Sequence, residues 1–256
     1  VCTLALVRRP GSRYPLVVAA NRDEAIDRPS TGPLVWDDPI PFVGGRDEVA
    51  GGTWLGLNAH GLVIGLTNHW TGRPPDPERA SRGGIVRGLL QCRDLDEVGR
   101  ALRARDPEDT NPFLLLAADR GGGASWTASA DGMGLCPVTE PVFALGNESP
   151  ENDPGHRART LGTGLESELA RAGDDPDRIR RLLAARLARH GGDHGPQRSV
   201  CVHTDRGYGT VSSSIFLLGH TPDDDRYWAA SGPPCTVTHV DHTHLLEALR
   251  GQDTRT

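Results

Sequence analysis

Two short stretches hold residue types able to do covalent chemistry. The chain begins VCTLALVRR, and residues 19–24 read AANRDE. A cysteine at a chain terminus supplies a nucleophile and its own base. The thiol has a reference pKa of about 8.5 and an α-amino group one of about 7.7–8.0, so one residue can both attack and accept the proton. Val1 fits a GTG start codon, written as valine and translated as methionine. Initiator removal favours a small second residue, which would leave Cys2 as the mature terminus. In Asn21-Arg22-Asp23-Glu24, Asp23 can hold an α-ammonium group by a charge-assisted hydrogen bond, and Arg22 can favour the thiolate. Plainer readings stand beside these. Free cysteine is commonly a small buried residue, and four polar residues after an apolar run commonly form a solvated turn.

The elements that must position these groups are legible in outline. Thr3–Val7 and Leu16–Ala20 are β-prone runs around Pro10-Gly11-Ser12 and read as a hairpin. Antiparallel pairing places the end of the second run, with Asn21–Glu24 after it, beside Cys2. A Pro-rich loop is expected over 28–41, then a hairpin of 53–57 and 62–66, and a loop over 71–84. Helical spacing marks 85–92 and 95–105, with Asp94 and Glu97 as a capping box. Phe113–Ala118 reads as a buried strand; 125–129, 135–138 and 142–145 read as further strands, and 148–157 as a polar turn region. One helix is expected over 158–172 and another from Pro176 to about His190, capped by Asp175. Residues 191–197 form a loop before strands at 199–203, 213–218 and 227–230. Asp241 caps a last helix near 242–250, with 251–256 frayed. The order is not βαβα alternation, so a doubly wound sheet is excluded in favour of an α+β layered sandwich in one domain, 1–256.

Composition narrows the function. All of the 28 basic residues are arginine, set against 34 acids, giving a net charge of −6 with the signs mixed along the chain. Nucleic-acid binding calls for a clustered basic face, and none is visible. No run approaches the ~20 apolar residues of a membrane helix, and no secretory leader is recognisable. The cysteines, Cys2, Cys92, Cys136, Cys201 and Cys235, are odd in number, scattered and without a CxxC pair. That argues against a disulfide framework or zinc motif and for a reducing, cytoplasmic setting. No resident metal or cofactor is expected.

Beyond these features the chain resembles a known family. VCTLALV, AANRDE, Arg28-Pro29-Ser30, Gly51-Gly52-Thr53-Trp54-Leu55-Gly56, Leu66-Thr67-Asn68, Arg82-Gly83, Leu116-Ala117-Ala118-Asp119, Leu145-Gly146-Asn147 and Gly207-Tyr208-Gly209-Thr210 occur in the order of the NRDE family, also called the transport and Golgi organisation protein 2 family. The matches run to about residue 218. That family is similar in turn to N-terminal-nucleophile (Ntn) hydrolases of the bile-salt hydrolase and penicillin V acylase type. The resemblance implies a four-layer αββα sandwich of antiparallel sheets. It implies a cysteine amidohydrolase acting on small, non-peptide amides, with Cys2 as nucleophile, Asn21 and Asp23 beside it, and Asn68 and Asn147 as oxyanion donors. Two departures concern arginine. The hydrolases carry one where this chain has Ala20, which leaves Arg22 as the nearest. Val211 stands where relatives often have arginine, a place Arg198 could fill. The family's association with haem handling and lipid metabolism gives the alternative, a non-catalytic haem- or lipid-binding trafficking protein on the same fold. No protein partner is suggested.

Other features carry blander expectations. Thr238-His239-Val240-Asp241-His242-Thr243-His244 offers three imidazoles but matches no metal motif. Asp223-Asp224-Asp225 reads as a solvated turn, and His190 and His194 as surface residues. Trp54 and Trp70 suit either a pocket wall or the core.

Overall fold

The computed structural model describes residues 2–130, 132–147, 155–192, 195 and 198–253. They form two compact units. The first comprises Val1–Arg28, Glu140–Gly146 and Pro150–His244; the second comprises Pro29–Thr139, Asn147–Ser149 and Leu245–Thr256.

The first unit is built on a six-stranded antiparallel sheet. Its strands are β1 (Thr3–Arg8), β2 (Leu16–Ala25), β10 (Val142–Leu145), β11 (Tyr208–Leu218), β12 (Arg226–Ala230) and β13 (Val240–Asp241), in the order β10-β1-β2-β11-β12-β13. Helices α3 (Gly155–Gly162), α4 (Leu165–Ala172) and α5 (Pro176–Leu187) cover one face. Odd-numbered strand residues point to them: Ala5, Val7, Val17, Ala19, Ile215 and Leu217 pack with Leu161, Leu165, Leu169, Ile179, Leu183 and Leu187. The even-numbered residues Leu4, Leu6, Val18 and Phe216 are buried too, so these strands read as continuous apolar runs instead of alternating ones. Asp175 caps α5 by accepting from the N–H groups of Asp177 and Arg178.

The second unit is a seven-stranded antiparallel sheet in sequence order: β3 (Ser30–Trp36), β4 (Phe42–Asp47), β5 (Leu55–Asn58), β6 (Val63–Asn68), β7 (Phe113–Asp119), β8 (Gly122–Ser129) and β9 (Gly132–Pro137). Helices α1 (Gly83–Leu89) and α2 (Leu95–Arg103) pack on it through Ile85, Val86, Leu89, Val98 and Leu102 against Phe42, Ile64, Phe113 and Leu115. Asp94 caps α2 by accepting from Glu97 N–H, while Glu97 returns a bond to Arg93 N–H, one residue short of the expected box. The chain makes its last helix, α6, over Thr243–Asp253. Asp241, the last residue of β13, accepts from Thr243 N–H, but His242 stands between it and the helix, so it lies one residue short of the expected cap position; the helix runs past residue 250.

Several expected boundaries are corrected. The Pro-rich stretch 28–41 contains β3, and Phe42–Asp47 is a strand despite two glycines. The expected helix 158–172 is two helices, because Gly164 takes a left-handed φ of 73° between them. Residues 199–203 form no strand, only a single bridge from His203 to Gly209. Residues 148–154 and His194 lie outside the described residues. No helix among the described residues is long and apolar enough to cross a membrane.

Candidate active site

Strand β2 runs to Ala25, so Asn21–Glu24 lies inside a strand and not in a turn after it. The strand's register sets Thr3 opposite Asn21, with Cys2 one step beyond. Asn21, Arg22 and Asp23 are all buried, which overturns the solvated-turn reading of the quartet. The polar strand is tolerated because its groups find partners. Arg157 Nη1 donates to Asp23 Oδ2 at 3.0 Å, Thr210 Oγ1 donates to Asp23 Oδ1 at 2.6 Å, and Tyr208 Oη donates to the Asp23 carbonyl at 2.8 Å.

Electrostatics reflect that burial. Desolvation lifts the Asp23 carboxyl to about 6, against the downward pull of Thr210 and Arg157. Desolvation also raises the Cys2 thiol. The negative charge of Asp23 adds to the rise, and a hydrogen bond from the Asp23 backbone and the charge of Arg22 act against it. Arg22 is therefore near enough to bias the thiol, and its guanidinium also lies 3.8 Å from Glu24. Tyr208 is held above the ordinary phenol range by burial and by the nearby Cys2 and Asp23 charges.

Asn21 occupies a different place. Its side-chain NH2 donates to the carbonyls of Leu187 and Val200, both at 2.9 Å, on the helix-covered side of the sheet. Its amide ties β2 to the end of α5. The arginine that supports Asp23 is Arg157, from α3. Arg198, the expected substitute for the arginine that relatives carry at the position of Val211, is exposed. Arg157, Thr210 and Tyr208 were not singled out as site residues. Only the Tyr208-Gly209-Thr210 motif marked the latter two, and nothing local marked Arg157, which is 134 positions from its partner.

Asn68 and Asn147 belong to the second unit. Asn68 ends β6, and the N–H of Trp70, just beyond it, donates to the Asn147 carbonyl at 2.9 Å. The Asn147 Oδ1 atom is buried without a hydrogen-bond partner. Trp70 is exposed and Trp54 is half-buried.

The C-terminal histidines do not gather into a ligand set. His239 is buried and lies 3.0 Å from Ser213 Oγ, while the His242 and His244 rings are 6.0 Å apart. Asp225, in the supposed solvated turn, is buried and accepts from Gly219 N–H. The His/Cys grouping that the structure does show lies at His190, Cys201, His203 and Cys235.

The model of the Transport and Golgi organisation 2 family matches residues 1–224. The chain belongs to this family. Curated relatives include the Transport and Golgi organization 2 homologue of Mus musculus, 35% identical over 117 residues, and that of Homo sapiens, 34% identical over the same length. Each match covers 43% of this chain and 42% of the relative, so it spans well under half the length of these curated proteins. Among solved structures, penicillin V acylase from Agrobacterium tumefaciens superposes with a TM-score of 0.63 at 13% identity, covering 96% of this chain and 88% of the acylase. The Caenorhabditis elegans orthologue of N-acylethanolamine-hydrolyzing acid amidase gives 0.58 at 13% identity, covering 87% and 96%. A conjugated bile acid hydrolase from Clostridium perfringens gives 0.55 at 13% identity, covering 98% and 94%. These likenesses show the α+β fold of the Ntn hydrolases, the class expected from the sequence.

Proposed function

We propose that this member of the family is a cysteine-type Ntn amidohydrolase acting on a small, non-peptide amide. The observation that carries the reading is the placement of Cys2 at the head of β1, against a buried Asp23 whose carboxylate is held by Arg157 and Thr210. The fold is one that it shares with three amide-cleaving enzymes.

The chemistry requires Cys2 to be the chain terminus. Its α-amino group takes the thiol proton, and the sulfur attacks the amide carbonyl. The C–N bond then breaks, and the amine leaves with the proton returned by the α-ammonium group. Water hydrolyses the thioester, releasing the acid and restoring the thiol. Asp23 orients the α-amino group, and Arg22 supplies positive charge toward the sulfur. Asn21 is a positioning residue in this scheme. For Asn68 and Asn147 the resemblance alone implies a part, as hydrogen-bond donors to the developing oxyanion.

The test is an intact mass of untagged protein, then limiting alkylation with peptide mapping and a panel of acyl amides. Loss of residue 1, labelling of Cys2 far ahead of Cys92 and Cys136, and acyl turnover abolished in Cys2→Ala are the expected results. Retention of residue 1, or equal labelling of the thiols, would sink the amine-assisted mechanism. A haem Soret shift that disappears in Cys2→Ala, without any acyl turnover, would replace it with the binding reading.

A further inference from the structure

His190, Cys201, His203 and Cys235 come from three separate segments of the first unit, and their ligand atoms all lie within 4.8 Å of one another. His190 follows the C-terminal end of α5, Cys201 and His203 flank Val202, and Cys235 sits in the turn after β12. The thiols are free, with their sulfurs 3.6 Å apart. His203 Nε2 lies 3.6 Å from Cys201 Sγ and 3.1 Å from Cys235 Sγ. The His190 and His203 rings are 5.2 Å apart between centroids.

These separations are close to the edges of one coordination polyhedron. With Zn–S of about 2.3 Å and Zn–N of about 2.0–2.1 Å, tetrahedral angles require S···S of about 3.8 Å and S···N of about 3.6 Å. The three contacts of Cys201, His203 and Cys235 fall within about half an ångström of those values. Two thiols and two imidazoles form the Cys2His2 donor set that favours zinc over hard cations, which take oxygen ligands. His190, His203 and Cys235 are exposed and Cys201 is buried, so an ion has a path in from solvent.

We propose that His190, Cys201, His203 and Cys235 form a structural zinc site. Four protein ligands close the tetrahedron, so the site leaves no position for water or substrate and is not catalytic. Binding releases the two thiol protons and leaves both sulfurs as thiolates. The consequence is mechanical. Cys201 N–H donates to the Arg189 carbonyl, and Val202, between two of the ligands, exchanges hydrogen bonds with Thr210: its N–H donates to Thr210 Oγ1, and its carbonyl accepts from Thr210 N–H. Thr210 in turn donates to Asp23. The ion therefore pins the end of α5, the 201–203 segment and the Cys235 turn around the residue that braces Asp23. The site stands whether or not Cys2 is a nucleophile.

The experiment measures metal alone, by elemental analysis of the purified full chain and by titrating metal-free, reduced protein with Zn(II) and Co(II). About one zinc per chain is expected, with tetrahedral Co(II) absorption and thiolate-to-cobalt charge transfer. Cys235→Ser and His203→Ala alter exposed side chains, so the chain should still fold. Each should weaken zinc binding by more than the roughly 10–100-fold lost with a supporting outer-shell partner, while Cys92→Ser and Cys136→Ser bind as the parent does. Unchanged binding in Cys235→Ser and His203→Ala, absence of the charge-transfer band, or a Cys201–Cys235 disulfide in reduced, zinc-supplied protein would overturn the proposal.

Discussion

Asp23 and Arg157 form a buried ion pair, 3.0 Å from carboxylate oxygen to guanidinium nitrogen, with side chains 0% and 9% exposed. The pair joins a strand of the first sheet to α3. With the Thr210 hydroxyl, Arg157 pulls down a carboxyl that burial alone would push toward the neutral form.

Replacing Arg157 by methionine should expose that conflict. In the parent the folded carboxyl titrates near 6, above the unfolded reference of about 3.9. The folded state therefore holds the proton more tightly, and the stabilisation this gives is full below about pH 4 and is lost as pH rises through 6. Without Arg157 the folded value climbs further and the loss extends to higher pH. Arg157→Met should cost about 3–5 kcal/mol, the usual range for breaking a buried pair, near pH 8. The deficit should shrink near pH 5, where Asp23 is protonated. Denaturant unfolding at the two pH values checks this; a deficit independent of pH would mean that Arg157 acts by packing alone.

Asn21→Ala separates stability from chemistry. The substitution strands the buried carbonyls of Leu187 and Val200, which lose their shared donor. Each such group costs about 1–3 kcal/mol. The variant should unfold at markedly lower denaturant, yet keep Cys2 the first thiol to alkylate under native conditions. Loss of Cys2 reactivity with unchanged stability would return Asn21 to the chemical machinery.

The legible parts of this protein were those with local signals. The hairpin of β1 and β2, the Asp94 and Asp175 caps and the apolar run Phe113–Ala118 each announce themselves within a few residues. Strands β3 and β4 were hidden because Pro33, Gly32, Gly44 and Gly45 imitate a loop. Asn21–Glu24 looked like a turn because its polar groups find their partners far away in sequence, at Leu187, Val200, Arg157 and Thr210. The four-residue His/Cys grouping was invisible for the same reason, since its ligands share no local spacing. The α+β class is thus legible in the order of the elements, whereas the support around Asp23 is a long-range property.

Gly52 and Gly84 make a matched pair of tests. The motif glycine Gly52 lies against the Gly83 backbone, where an added Cβ would come 2.7 Å from the Gly83 oxygen and 2.8 Å from its Cα. Gly84, inside α1, has open space at its Cβ. Gly52→Ala should therefore cost about 1–3 kcal/mol through overpacking. Gly84→Ala should gain about 0.5–1 kcal/mol by removing glycine's helix penalty. Thermal unfolding of the two variants should shift in opposite directions; equal behaviour would show that the Gly52–Gly83 approach relaxes freely.

His239 supplies an acid-sensitive element in the first unit. Burial first, and the positive charge of Arg180 second, lower its imidazole to about 4, and its Nε2 lies 3.0 Å from Ser213 Oγ. The folded state resists protonation, whereas the unfolded chain takes the proton near 6.5. The stabilisation is thus fully present above about 6.5 and is lost as pH falls toward 4. Linkage puts the loss at about 2 kcal/mol between about pH 7.5 and pH 5. His239→Gln keeps a polar group for Ser213 but does not titrate, so its stability should fall less over that interval, by about the same 2 kcal/mol. Urea unfolding at the two pH values measures the difference. Parallel pH profiles for parent and variant would mean that the His239 site opens to solvent before it charges.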